Sequence, residues 1–198
     1  MVISSIKQQL KLTDRYSIFI DNRFSFSLSS QKLLEQKLYK GQIIDQLQLK
    51  ALQKEAANDK LYVRALSYCT SRLHSQKEVD MYLERKQADN NARLDIINRL
   101  KQLGLVNDTA FARAWNSSRR QRSFSRRRII QELRQKGVDS DIITEVTTAE
   151  EANDSAAIAE IIRKKRQQTK YANDDLRLMR YLAQQGFDYA SIKKAVKG

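Results

Sequence analysis

The stretch Ala112-Arg-Ala-Trp115-Asn-Ser-Ser-Arg119 decides the fold when it is read with Ala65-Leu-Ser-Tyr68-Cys-Thr-Ser-Arg72 before it and Ala159-Glu-Ile-Ile162-Arg-Lys-Lys-Arg166 after it. The alanines stand at Ala65, Ala112 and Ala159, so each copy begins 47 residues after the last. On a helix, a small residue and a bulky apolar one three positions on share a face, and an Arg one turn further reaches its rim. A second signature follows each copy, a capping residue with Leu eight positions later: Ser75 and Leu83, Ser125 and Leu133, Asp174 and Leu182. Three copies of a two-part pattern argue for tandem repeats of one helical unit.

Working outward, the 198 residues contain no Pro, five Gly and 41% hydrophobic residues, so little interrupts long helices except polar caps and loops. The expected fold is mainly α: tandem three-helix repeats over 59–106, 107–150 and 151–198 in an elongated, curved array, behind an N-terminal extension over 1–58. In the first copy Leu61, Ala65, Cys69 and Leu73 form a stripe, Ser75-Gln-Lys-Glu78 reads as a capping box before Val79 and Leu83, and Leu94, Ile97, Leu100 and Leu103 mark a third helix. The second copy offers Phe111, Ala114 and Trp115, then Ile129 and Leu133, then Ile142, Ile143 and Val146; the third offers Ile158 and Ile162, Leu178 and Leu182, Ile192 and Val196. Gly137-Val138-Asp139 and Gly186-Phe187-Asp188 read as Schellman turns with an Asp free to cap the next helix. The first copy departs: Gln87 stands where Gly is expected, and Leu83 lies 14 residues before Ile97, against 10 for Leu133 to Ile143.

In the extension, Tyr16, Ile18, Ile20 and then Phe24, Phe26, Leu28 alternate around Asp21-Asn22, the pattern of a β-hairpin with a two-residue turn. Val2, Ile3 and Ile6 fit a short third strand. From Ser30 the pattern turns helical through Leu33, Leu34 and Leu38, and Ile43 to Leu52 continue it.

One Cys (Cys69) and one His (His74) allow neither an intramolecular disulfide nor an ordinary zinc site, and Cys69 reads as a buried structural thiol. No Gly-rich phosphate loop, nucleophile elbow or HExxH motif is present, so no catalytic residue, cofactor or metal ligand is assigned. No apolar run approaches the length of a membrane span, which leads to the expectation of a cytoplasmic protein with no membrane partner, and a monomer.

The net charge of +14 is spread out: nine basic against five acidic residues in 1–58, nine against six in 59–106, nine against six in 107–150, and ten against six in 151–198. Such a distribution suits a long polyanionic partner such as DNA or a nucleoprotein filament; the plain alternative is colloidal solubility. The densest run is Arg119-Arg120-Gln-Arg122-Ser-Phe124-Ser125-Arg126-Arg127-Arg128, six Arg in ten residues. If Ser125 caps a helix, Arg126, Arg127 and Arg128 fill its first turn, where the dipole disfavours cations and the backbone N–H groups favour anions. Recognition of phosphate or carboxylate is one reading; neutralisation by Glu150 or Glu151 is the other. A second cluster, Arg163-Lys164-Lys165-Arg166, suits a helix C-terminus and so has an equally good structural reading. Trp115 reads as core, like Tyr68 and Ile162, and Phe124 as an exposed aromatic contact. The candidate binding set is therefore Arg72, Arg119, Arg120, Arg122, Phe124, Arg126, Arg127, Arg128, Arg163, Lys164, Lys165 and Arg166. Replacing Arg126, Arg127 and Arg128 together by Gln is expected to leave the fold intact and stability unchanged or slightly raised, because Gln is a comparable helix former and the opposed dipole is relieved.

Several stretches resemble the RecX regulators of the RecA recombinase: Ala65 to Val79, Asp108-Thr-Ala-Phe111-Ala112-Arg-Ala-Trp115 with Arg119, Arg128-Ile-Ile-Gln-Glu132-Leu133-Arg-Gln-Lys136-Gly137-Val, and Gly186-Phe187-Asp-Tyr-Ala-Ser-Ile192. Arg15-Tyr-Ser-Ile-Phe-Ile-Asp21 is similar to the N-terminal extension of longer members. The resemblance implies a non-enzymatic bacterial protein of three-helix repeats that binds the RecA–DNA filament in its groove, inhibits RecA, binds single- and double-stranded DNA, and so acts in recombination, DNA repair and the SOS response. Two departures from the family pattern, Arg122-Ser-Phe-Ser125 without a Gly and Gln87 in place of one, bear on the angles between helices. A nucleic-acid-binding helical repeat acting without RecA, on DNA or RNA, would carry the same charge.

Overall fold

A computed structural model describes residues 1–148 and 153–197. The chain separates into two compact units, one of Met1–Arg72 with Asp80–Gln102, the other of Leu73–Val79 with the residues from Leu103 onward.

The first unit opens with a three-stranded antiparallel sheet, β1 (Ile3–Gln8), β2 (Arg15–Ile20) and β3 (Arg23–Ser29), in that order. Asp21 and Asn22 join β2 to β3 at φ 46° and 65°, the left-handed pair that a tight hairpin turn needs and that Asp and Asn tolerate. Period-two alternation sends Ile3, Ile18, Ile20, Phe26 and Leu28 to one face, where they pack with Ile44, Leu52 and Ala56. The helices here are α1 (Ser30–Glu35), α2 (Gln46–Ser71), the end of α3 (Gln76–Arg85) and α4 (Asn90–Gln102). A buried pair, Arg15 Nη1 to Asp59 Oδ2 at 3.2 Å, ties β2 to α2. The Ser29 N–H and hydroxyl donate to the same carboxylate at 2.8 and 2.6 Å, supplying the extra hydrogen bonds without which a buried ion pair costs more than it returns.

Four expectations change here. Ile43 makes an isolated bridge to Val2 instead of starting a helix, which begins only at Gln46, behind a capping box of Asp45 and Gln48. α2 then runs unbroken through 58/59 in place of a break between helices. Leu34, Leu73, Leu94 and Leu103 are exposed, and α4 buries Ala92, Ile96, Ile97 and Leu100. α4 starts at Asn90, seven after Leu83, just as Ser140 follows Leu133 and Tyr189 follows Leu182, so the long Leu83 to Ile97 spacing is no insertion. Arg93 occupies the position of Ile143 and Ile192 and pairs with Asp80 at 3.1 Å and Glu84 at 3.3 Å.

The second unit holds the start of α3 and then α5 (Asp108–Gln121), α6 (Arg126–Gln135), α7 (Ser140–Thr148), α8 (Asn153–Arg166), α9 (Thr169–Ala172), α10 (Asp175–Gln184) and α11 (Tyr189–Lys197). The short α9 was not foreseen; it fills a connection that lengthens from Arg72–Ser75 to Arg119–Ser125 to Arg166–Asp174. Phe111, Ala112, Ile129, Leu133, Val138 and Ile143 form one core, with Trp115 and Phe124 against it; Ile158, Ile161, Tyr171, Leu178, Met179, Leu182, Phe187 and Ile192 form another. Ala114 is exposed, its place taken by Ala112. In the third copy Ala159 is exposed as well: the register shifts by one so that Ile158 and Ile161 turn inward, burying more apolar area than Ala159 would.

The helices α3, α6 and α10 keep the second signature closely. Ser75, Ser125 and Asp174 accept the N–H groups of Glu78, Arg128 and Arg177, while Val79, Ile129 and Leu178, then Leu83, Leu133 and Leu182, are fully buried. Their C-terminal turns agree too: Val138 N–H bonds Leu133 C=O at 3.1 Å, Phe187 N–H bonds Leu182 C=O at 3.4 Å, and Ala88 N–H bonds Leu83 C=O at 3.2 Å. Gln87 adopts φ 62° in the turn where Gly137 has 74° and Gly186 has 94°.

What separates Gln87 from the two glycines is their neighbours. The turn after α6 lies on the start of α3, where Ser75 Oγ donates to Lys136 C=O at 2.8 Å and Lys77 Nζ to Gln135 C=O at 3.2 Å. The turn after α10 lies on the start of α6, where Ser125 N–H donates to Gln185 C=O at 3.0 Å and Arg128 Nη1 donates to Gln184 C=O. A Cβ on Gly137 would stand 2.6 Å from Lys77 Cδ, and one on Gly186 2.6 Å from both Arg128 Cβ and Ser125 Oγ. At both junctions φ favours glycine and the close contact demands it. Ser75 serves as a junction residue as well as a cap.

Candidate functional site

The arginine run is held by α5 and α6, whose connection turns at Ser123 with φ 61°. Ser125 caps α6 as expected, and the unfavourable placement of arginines in its first turn is answered by Asp154. The Asp154 carboxylate accepts the Arg126 N–H at 3.2 and 3.3 Å and pairs with Arg120, so an anion sits where the helix dipole calls for one. Glu150 and Glu151, named above as neutralising acids, lie outside the described residues.

The six arginines have unequal surroundings. Arg119 Nε pairs with Glu132 Oε2 at 2.6 Å, and Arg128 Nε reaches Glu132 Oε1 at 3.4 Å. Trp115 Nε1 donates to the same Glu132 carboxylate at 2.9 Å while the Arg119 guanidinium lies 4.1 Å from the Trp115 ring and Lys136 Nζ lies 4.8 Å from it. Trp115 is half-buried against Phe111, consistent with its reading as core. Phe124 is not the exposed aromatic expected: it packs on the core between Arg128 at 4.0 Å and Arg119 at 5.4 Å. Arg126 Nε donates to Thr147 C=O at 2.9 Å. Arg122 and Arg127 are exposed, as is Arg72 at the end of α2.

The second cluster is largely occupied by its own unit. Arg166 donates to the carbonyls of Tyr171 and Ala172 and pairs with Asp175, and Lys165 Nζ lies 4.3 Å from the Tyr181 ring and 5.3 Å from Tyr171. Arg163 and Lys164 are exposed and share Glu160, at 2.8 and 3.2 Å. The Arg163 and Lys164 hydrogen bonds pull the Glu160 carboxyl down to about 2, and Glu160 raises the Arg163 pKa in return.

On the solvent side of α6, Arg127, Ile130, Gln131 and Arg134 follow at helical spacing and line a groove of about 750 Å³ together with Arg126. Its other wall is the start of α8, with Asp154 and Ser155, and the start of α11, with Asp188 and Ser191. The Ser191 hydroxyl and N–H hold Asp188 below the usual carboxylate range. A second hollow of about 360 Å³, lined by Arg127, Arg128, Gln131, Gln184 and Phe187, shares Arg127 and Gln131 with the first. Arg127 and Arg134, both exposed, can hold phosphate or carboxylate oxygens, whereas the start of α11 is already capped by Asp188, which accepts the Ser191 N–H at 2.8 Å. Arg134 was missed in the sequence although it lies seven after Arg127, one face of one helix; Asp154 gave no local signal. Among the described residues there is no cluster fit for a metal ion and no helix long and apolar enough to cross a membrane.

Comparison with known proteins extends this picture. Residues 1–45 match the profile described as the regulatory protein RecX N-terminal domain, and residues 107–146 match that of RecX, second three-helix domain. The chain is 29% identical over 199 residues to the regulatory protein RecX of Bacillus subtilis, covering 98% of this chain and 75% of the relative. It is 30% identical over 204 residues to that of Bacillus pumilus, covering 98% and 76%. A crystal structure of regulatory protein RecX shares the fold, with a TM-score of 0.76 over 99% of this chain and 98% of the other at 23% identity. With 98% of this chain aligned to a relative at 30% identity and both family profiles falling on the elements described, the chain belongs to the RecX family.

Proposed function

We propose that this protein regulates the RecA recombinase, as an inhibitor, by binding the RecA–DNA filament through the α6 groove, and that it does so without catalysing a reaction. The observation that carries the reading is the division of labour within the arginine run. Arg119, Arg120, Arg126 and Arg128 are engaged in holding α5, α6, α7, α8 and α10 together, and the rigid face so formed presents Arg127 and Arg134 to solvent beside two helix starts. A polyanionic filament meets this face with phosphates or acidic side chains, and the net charge of +14 draws the two together over distances up to about a Debye length.

The test is the RecA ATPase on single-stranded DNA, with and without the full chain. Inhibition that saturates with added protein supports the proposal. An unaffected RecA, with tight binding of the chain to naked nucleic acid at physiological salt, points instead to a nucleic-acid-binding protein that acts alone.

A further inference from the structure

The solvent face of the N-terminal sheet is chemically unlike the rest of the first unit. Register places Ser5 opposite Phe19, Lys7 opposite Ser17, Ser17 opposite Ser27 and Phe19 opposite Phe24. The bulges beside Ser4 and Ser25 bring these residues onto the face away from the core, since Ile6, Ile18 and Phe26 pair on the other. Phe24 is 59% exposed, a large value for an aromatic on a strand, and its ring meets Phe19 edge-on at 6.0 Å between centroids. Lys7 Nζ lies 5.3 Å from the Phe19 ring, and Gln9 donates to Ser17 Oγ at 3.0 Å. No carboxylate stands among these positions: Asp14 and Asp21 lie in the turns, where Asp14 accepts from Ser30 and Asp21 from the Val2 N–H. Arg15, at the far end of β2, is held by Asp59.

We infer that this face is a stacking platform for single-stranded DNA, with Phe24 and Phe19 receiving bases and Lys7 meeting the adjoining phosphate. A sheet face carrying the exposed Phe24 beside a half-buried Phe19, with hydroxyls and a cation and no acid, complements a strand whose bases are free; in a duplex the base faces are already stacked and unavailable. The hydrophobic core lies on the opposite face of the sheet, so the packing of Phe24 is confined to its edge contact with Phe19. The choice of DNA over RNA rests on the filament reading given above; the platform itself does not.

Binding of a labelled oligothymidylate to the full chain, followed by anisotropy without RecA, tests the inference. Phe24→Ala and Phe24→Leu each weaken binding about tenfold with an unchanged thermal midpoint, and Phe24→Trp restores it, because stacking and not bulk is what is lost. An abasic oligonucleotide of the same length binds the parent and Phe24→Ala alike. Lys7→Gln lowers the log–log salt slope by about one, the signature of a single phosphate contact. Equal affinity of Phe24→Ala and the parent for oligothymidylate overturns the platform, whatever the RecA assay shows. Oligouridylate bound more tightly than oligothymidylate overturns the choice of DNA. A RecA ATPase that ignores the parent protein overturns the filament reading while leaving the platform in place.

Discussion

The two basic clusters of the second unit look alike as sequence and differ in what surrounds them. Arg163 to Arg166 end a helix, and the last two members are spent on local structure: Lys165 lies over Tyr181, and Arg166 closes on Tyr171, Ala172 and Asp175. Arg119 to Arg128 span a junction, and three of the four engaged arginines there join elements far apart in sequence: Arg120 to Asp154, Arg126 to Thr147, Arg128 to Gln184. Charge density therefore does not measure availability. The denser run is mostly scaffold; it leaves Arg122 and Arg127 exposed, and on the groove face of α6 Arg127 is joined by Arg134 beyond the run.

The largest effect that would break this comparison lies at the junction. Gly186→Ala places a methyl against Arg128 and Ser125 at a φ of 94° and is expected to cost roughly 2–5 kcal/mol in chemical denaturation, disturbing α6 through Arg128. Gln87→Gly, in the same turn with an exposed side chain and φ 62°, is expected to gain about 0.5–1 kcal/mol. Similar behaviour of the two sites would mean that backbone conformation alone fixes the glycine. Next in size, Glu132→Gln weakens the shared partner of Arg119, Arg128 and Trp115 and is expected to cost about 1–2 kcal/mol, with a shift in the fluorescence of Trp115, the one tryptophan. For the same reason the joint replacement of Arg126, Arg127 and Arg128 by Gln lowers stability, contrary to the sequence reading, since two of the three carry junction hydrogen bonds.

Smaller still is the effect of Glu160→Gln in the second cluster, where both ion pairs are exposed and no measurable change in stability is expected. The depressed Glu160 pKa means that whatever stability the group adds is present above its ordinary 4.5 and lost as pH falls through about 2. In an NMR titration, Arg163→Gln with Lys164→Gln should return the Glu160 midpoint toward 4.5; a midpoint still near 2 would show that these pairs do not set it.

Much of this was legible in the sequence because it follows from local rules. The caps Ser75, Ser125 and Asp174, the turns at Gly137 and Gly186, and the period-two strands each declare themselves within eight residues. The third copy of the first signature misled by one residue, because Ala159 and Ile158 are adjacent and only packing against α10 and α11 decides which turns inward. Phe124 misled for a related reason: its polar neighbours Arg119 and Arg128 are also the groups that cover its ring. The groove was illegible because its walls, α6, α8 and α11, meet only in three dimensions, and Asp154 acts on a helix start 28 residues away.

Arg127 and Arg134, and not the more conspicuous second cluster, form the proposed contact surface. Its most direct test is the RecA ATPase on single-stranded DNA, titrated with the parent, with Arg127→Gln plus Arg134→Gln, and with Arg163→Gln plus Lys164→Gln, each checked for an unchanged denaturation midpoint. The first pair is expected to raise the concentration needed for half-inhibition by about tenfold or more, the loss of two charge-assisted contacts, while the second changes it by less than about threefold. Full inhibition by the Arg127 and Arg134 variant, with loss in the Arg163 and Lys164 variant, would contradict the claim and move the contact surface to the end of α8.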